Sequence, residues 1–157
     1  GIEEAGIGVE IVSSGETYTY DLAPLIPEVT EVEGGTYALM STTAGYMAKF
    51  QYAAKILTTI VAIRDDFVFL DVGMKSLAAP NGVKPQVESH PEIEFERLDS
   101  TYSVFRKPPN FVIQEGEQLM LLSAQQDILV NRWDQFVAVR DGTVVAVWDI
   151  EARGCHH

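Results

Sequence analysis

Ile56-Leu-Thr-Thr-Ile-Val-Ala-Ile63, then Asp65-Asp66, then Phe67-Val-Phe-Leu-Asp-Val72 is the stretch that decides the fold. Two runs rich in β-branched and aromatic residues, separated by a short acidic turn, read as an antiparallel hairpin. Further along, Phe136-Val-Ala-Val-Arg140 and Thr143-Val-Val-Ala-Val-Trp148 flank Asp141-Gly142. Asp-Gly supplies the positive φ angles that a tight two-residue turn requires, so a second hairpin is expected there, with Trp148 as a core anchor. Thr101 to Phe105 and Gln118 to Ser123 add strands, as do Ile7 to Ser13 and Gly35 to Met40. Helical signals are scarce: a brief helix capped by Asp21, and Ala44 to Lys55, which is rich in Ala, Met and Lys. Ala79 to Pro91 holds three prolines and reads as a long loop. The expected class is mainly β.

A chain of 157 residues with 46% hydrophobic and 22% charged residues can enclose one core. Its 23 acidic and 11 basic residues give a net charge of -12. Such a surface repels polyphosphates and anionic lipids, which excludes nucleic acid and anionic membranes as expected partners. The longest apolar run, Ala53 to Ile63, is interrupted by Lys55 and is too short to span a bilayer. The single cysteine, Cys155, cannot form an internal disulfide, and no basic-then-apolar leader opens the chain, so a cytoplasmic setting is expected. Gly1, His156 and His157 are set aside from any metal argument.

Four segments carry possible chemistry. Val12-Ser13-Ser14-Gly15-Glu16-Thr17 is a turn in which glycine lets backbone N–H groups approach an anion and hydroxyls add donors. Thr30 to Tyr37 ends on Gly34-Gly35-Thr36-Tyr37, with Tyr37 either a core tyrosine or a phenol donor. Leu70-Asp71-Val72-Gly73-Met74-Lys75 reads as a strand ending in an Asp-x-Gly turn. In Gly116 to Asp127, Gln125 and Asp127 are spaced i, i+2, which on an extended strand sets both side chains on one face.

Taken together these segments resemble the C-terminal part of the D-threonine aldolase and D-serine dehydratase-like family, pyridoxal-phosphate enzymes of fold-type III with an alanine-racemase-like barrel. The family signature Leu-Asp-x-Gly-x-Lys is kept at Leu70, Asp71, Gly73 and Lys75. The closing hairpin and Ala152-Arg153-Gly154 resemble the family's terminus, where Arg153 reads as a surface ion-pair former. The resemblance implies an antiparallel barrel- or sandwich-like C-terminal domain over 44–157, preceded in 1–43 by the end of the cofactor-binding barrel.

Ser14, Gly15, Thr17, Gly35 and Tyr37 fall where the family meets the cofactor, with Glu16 in place of a usual glycine. Gln125 and Asp127 fall where it holds a divalent metal through a His-x-Cys or His-x-Asp pair. A second family histidine corresponds here to the stretch around Tyr102. With both imidazoles replaced, metal binding is not expected, and His90 reads as an exposed loop residue. The lysine that carries the cofactor lies upstream in the family, so no catalytic residue is assigned in this chain, and Lys75 reads as structural or substrate-proximal. Pyridoxal phosphate is expected in the full-length enzyme and not in this chain alone.

The implied function is that of a C-terminal domain or fragment of an enzyme performing retro-aldol cleavage of β-hydroxy D-amino acids, inactive by itself. Its expected partners are the missing barrel portion, a D-amino acid and a second subunit in a homodimer. The alternative is a non-catalytic dimerisation or interaction domain.

Overall fold

A computed structural model of the chain describes residues 1–79 and 82–155. Pro80 and Asn81 of the expected loop, and His156 and His157, lie outside the described residues. The strands are β1 (Lys55–Arg64), β2 (Phe67–Leu70), β3 (Gln86–Val87), β4 (Glu94–Leu98), β5 (Ser103–Arg106), β6 (Gln118–Leu122), β7 (Gln135–Arg140) and β8 (Thr143–Asp149). One helix, α1, covers Gln126–Val130. Six strands form an antiparallel sheet in the order β3-β6-β1-β2-β5-β4, and β3 approaches β4, so the sheet curls into a nearly closed barrel. β7 and β8 form a separate two-stranded hairpin. No helix among the described residues is long and apolar enough to cross a membrane.

β1 organises the sheet because it serves two neighbours in succession. Lys55 to Thr59 pair with β6, and Ile60 to Arg64 pair with β2 through a register shift between Ile60 and Ala62. At the switch, Ile60 N–H donates to Glu117 O (2.9 Å) and its carbonyl accepts from Gly116 N–H (2.8 Å). Its alternation turns Ile56, Thr58 and Ile60 inward. They join Val68, Leu70, Leu77, Val87, Phe105, Leu121 and others in one core, where Phe95 meets Phe105 edge to face at 5.4 Å.

The Leu-Asp-x-Gly-x-Lys stretch is built into this switch. Asp71 Oδ1 accepts from Thr58 Oγ1 (2.7 Å) and from Thr59 N–H (2.9 Å), so one carboxylate oxygen ties the end of β2 to the middle of β1. Gly73 is buried against the backbone of the next turn. A Cβ there would stand 2.4 Å from Tyr102 N and 2.6 Å from Asp99 O. That close approach lets Met74 N–H donate to Asp99 O (2.8 Å) and Lys75 N–H to Ser100 O (3.2 Å). The Lys75 side chain is exposed, so the motif's Asp and Gly shape the sheet while its Lys faces solvent.

Both expected hairpins are present. Asp65 takes φ 55° between Arg64 and Phe67, and Asp141 and Gly142 take 49° and 75° between Arg140 and Thr143. Other elements differ from expectation. Ala44 to Lys55 forms no helix: a single 3₁₀ turn over Thr42–Ala44 ends at Gly45, and the N–H groups of Ala53 and Ala54 donate to Leu39 O. Gly35 to Met40 is not a strand but holds a 3₁₀ turn over Thr36–Ala38, followed by Met40 at φ 59°. Ile7 to Ser13 contributes only a parallel bridge between Ser13 and Glu31. Near Asp21 the 3₁₀ turn begins one residue later, after Leu22, without a side-chain cap.

β4 and α1 lack the clean alternation or length that would announce them. Trp148 is not a core anchor: it is 59% exposed, because the hairpin projects from the sheet and only Phe136 packs onto the core. His90 is half-buried, its ring edge-on to Phe111 at 5.0 Å with Glu92 3.5 Å away. Arg153 pairs with Asp134, as a surface cation should.

Gly73→Ala is expected to cost about 3 kcal/mol, the upper range for forcing atoms into a packed site, read by urea unfolding with Gly8→Ala as an unobstructed control. Asp71→Ala should cost about 2 kcal/mol and Asp71→Asn less than half of that, since an amide oxygen still accepts both bonds.

Candidate functional site

The first 43 residues place two loop segments side by side. Val12 N–H donates to Thr30 Oγ1 (2.9 Å), Thr30 N–H to Val12 O (3.0 Å) and Ser14 N–H to Glu31 O (3.0 Å), which sets Val12–Gly15 parallel to Thr30–Glu33. Gly15 has φ 92°, and a Cβ there would lie 2.7 Å from Ala23 Cβ, so both conformation and packing require glycine. Ser14 is exposed beside it. Ser13 Oγ donates to Glu33 Oε1 at 2.6 Å, and Glu16 gives its N–H to Thr19 Oγ1 at 3.0 Å.

Thr17 is buried, and its hydroxyl oxygen accepts from Tyr37 N–H at 3.2 Å. Gly34 packs against the Tyr37 ring and Thr17, whereas no atom lies within 4 Å of where a Cβ of Gly35 would stand. Tyr37 itself is about half exposed, with its ring 6.0 Å from that of Phe50. Ser14, Gly35 and Tyr37 therefore present their groups outward, and Thr17 holds the Tyr37 turn from within.

The second expected cluster arrives by a different geometry. Gln125 is extended (φ -148°, ψ 122°) and precedes α1, while Asp127 sits exposed in its first helical turn. The i, i+2 side chains thus do not share the face of a strand. The residue between them makes the connection: Gln126 is buried, and its Nε2 donates to Thr36 Oγ1 at 3.2 Å, across 90 positions of sequence. Thr36 lies between Gly35 and Tyr37. Thr42 N–H also donates to Ser123 O (2.9 Å). These two bonds bring the start of α1 against the Gly35–Tyr37 turn, so both expected clusters share one neighbourhood. Among the described residues no three His, Cys, Asp or Glu side chains converge.

Sequence reading missed an aromatic cluster next to Thr17. Tyr18 stacks with Tyr46 at 6.3 Å, and Tyr20 meets Phe50 edge-on at 5.1 Å. They border a shallow depression of about 250 Å³ that also reaches Asp21 and Lys49. The Lys49 ammonium stands 5.7 Å over the Tyr20 ring, and its hydrogen bond with Tyr20 raises its pKa above the ordinary lysine value. The signal was in the sequence: five of the six tyrosines fall between 18 and 52.

No family model matches the chain. It is 29% identical over 160 residues to D-threonine aldolase of Arthrobacter sp., covering 98% of this chain and 42% of that protein. It is 25% identical over 164 residues to 3-hydroxy-D-aspartate aldolase of Paracoccus denitrificans, again covering 98% and 42%. The crystal structure of D-threonine aldolase from Filomicrobium marinum superposes with a TM-score of 0.90 over 99% of this chain and 44% of that one, at 23% identity, which shows a shared fold. The chain thus spans less than half the length of the curated relatives it matches. Over nearly its whole length it is similar to a C-terminal part of the D-threonine aldolases and 3-hydroxyaspartate aldolases, the relationship indicated by Leu70, Asp71, Gly73 and Lys75.

Proposed function

We propose that this chain is the C-terminal part of a cytoplasmic pyridoxal-phosphate lyase that cleaves β-hydroxy D-amino acids of the D-threonine and 3-hydroxyaspartate type. Residues 1–43 are the end of the cofactor-binding barrel and 44–157 the β-rich domain that follows it. The observation that carries the reading is the bond from Gln126 to Thr36, which joins the two candidate clusters within a chain similar to D-threonine aldolase throughout. The parallel contact between Val12–Gly15 and Thr30–Glu33 supports the assignment of residues 1–43. Parallel strands occur in sheets covered on both faces, and in this segment Ile2, Ile7, Ile11, Leu22 and Leu25 are exposed.

The residues present fit a phosphate group at this turn. The unobstructed Gly35 allows its backbone to approach an anion, the positive φ of Gly15 shapes the turn beside Ser14, and the exposed Ser14 and Tyr37 hydroxyls add donors. Thr17 positions the Tyr37 turn through its buried hydroxyl. Bound pyridoxal phosphate supplies the electron sink for breaking the Cα–Cβ bond. Gln125 offers one neutral amide oxygen beside the Asp127 carboxylate, a weak pair for a divalent cation, so the proposed chemistry does not rely on a metal.

The lysine that carries the cofactor belongs to the portion outside these 157 residues, and the chain alone is inactive. A non-catalytic interaction domain is the second reading, favoured by Gln125 in place of an imidazole.

The test adds pyridoxal phosphate to the longer polypeptide and follows absorbance at the visible edge, then glycine release from D-threonine. A cofactor band with glycine supports the lyase, a band without glycine supports the second reading, and no band overturns the cofactor assignment. The 157-residue chain alone should release no glycine. In the longer polypeptide Tyr37→Phe should weaken pyridoxal-phosphate binding about tenfold, the worth of one hydrogen bond to a charged group. Thr17→Val should lower thermal stability as well, because it removes the acceptor of the Tyr37 N–H.

A further inference from the structure

The turn that presents Gly35 and Tyr37 is too short to hold its own shape. It is a single 3₁₀ turn over Thr36–Ala38 with no side-chain cap, closed by Ala38 N–H to Gly35 O (3.1 Å) and Met40 N–H to Thr36 O (2.8 Å). Such a turn is marginal in water unless other groups grip it. Two side chains do so from inside. Thr17 Oγ1 accepts the Tyr37 N–H, and Gln126 Nε2 donates to Thr36 Oγ1, each at 3.2 Å. Thr17 is 1% exposed and Gln126 8%. The residue before Gln126 is itself fixed, because Ser123 Oγ donates to Gln125 O at 3.0 Å while Ser123 O accepts from Thr42 N–H at 2.9 Å.

Burying an amide costs desolvation that an apolar residue would avoid. Docking α1 does not require that cost, since Leu129 of the same helix already packs into the core. What the amide adds is direction: a hydrogen bond fixes one orientation of the turn, where apolar packing tolerates several. We propose that Gln126 is a positioning residue for the cofactor phosphate, acting through Thr36 to hold the Gly35 backbone and the Tyr37 hydroxyl in their binding arrangement before the anion arrives. The proposal rests on the lyase reading above and adds to it a residue of the β-rich domain that touches neither cofactor nor substrate. A turn ordered beforehand loses less conformational freedom on binding, so the grip of Gln126 is read out as affinity.

The test titrates the cofactor band of the longer polypeptide with pyridoxal phosphate, beside urea unfolding and amide hydrogen exchange of the 157-residue chain. Gln126→Met keeps the length of the side chain and removes the donor, and Thr36→Val keeps the shape and removes the acceptor. Each should weaken cofactor binding about fivefold, the worth of one neutral hydrogen bond, and the double variant no more than either alone. Thr36→Ser keeps the acceptor and should bind the cofactor as the parent does. In the 157-residue chain Gln126→Met should speed exchange of the Tyr37, Ala38 and Met40 N–H groups. Trp133→Phe cuts the bond to Ser76 O beyond the other end of α1, and should lower stability without weakening the cofactor. With a cofactor band in the parent, three results would each overturn the proposal and leave the lyase reading standing: unchanged affinity in Gln126→Met, additive losses in the double variant, or an equal loss in Trp133→Phe. A parent without a band would overturn both.

Discussion

The Asp71 carboxylate is the contact on which the sheet depends. β1 must leave β6 and take up β2 at Ile60, and a strand that changes neighbours exposes backbone groups at the changeover. Asp71 Oδ1 takes the Thr59 N–H at that point and the neighbouring Thr58 hydroxyl with it. Thr58 is buried, so losing the acceptor would strand a polar group inside the barrel wall. Two residues on, Gly73 lets the chain pass against the 99–102 backbone at a separation no side chain permits. The next turn is then held by the side chains that follow α1: Trp133 Nε1–H donates to Ser76 O at 2.8 Å, and Arg132 donates to Leu77 O.

That chain of contacts links architecture to the candidate site. The turn after Gly73 fixes the end of α1, the start of α1 carries Gln126, and Gln126 reaches Thr36 in the Gly35–Tyr37 turn. The signature stretch and the candidate site therefore meet through α1, although Lys75 points to solvent. A short helix with five residues is well suited to this role, since its stability comes from the groups that grip both ends and little from its own hydrogen bonds.

Two concentrations of exposed apolar groups differ in their setting. Those of the first 43 residues belong to a segment whose one strand pairing is the parallel bridge between Ser13 and Glu31, too small to stand as a sheet. Those of the hairpin lie on an antiparallel pair whose outer edges are unpaired among the described residues and of which only Phe136 packs onto the core. The net charge of -12 lies mostly outside the hairpin, whose thirteen strand residues hold only Arg140 and Asp149 as charged groups.

Local chemistry made part of this legible in the sequence. Both hairpins follow from Asp65-Asp66 and Asp141-Gly142 between β-branched runs, because a tight turn and its flanking strands are specified within a few residues. Gly15 was recognisable as a turn glycine for the same reason. The failures share the opposite cause. Ala44 to Lys55 has helical composition, yet its backbone is used by Leu39 and broken at Gly45. Trp148 has the size of a core residue, but its hairpin stands away from the core. Gln126 lies between two ligand candidates and carries no local signal of its own, and only a hydrogen bond spanning 90 residues shows it to be the connector. Sequence determined where the chain turns and which segments extend; tertiary structure decided which faces find a neighbour, since burial and long-range hydrogen bonding depend on segments that local pattern does not bring together.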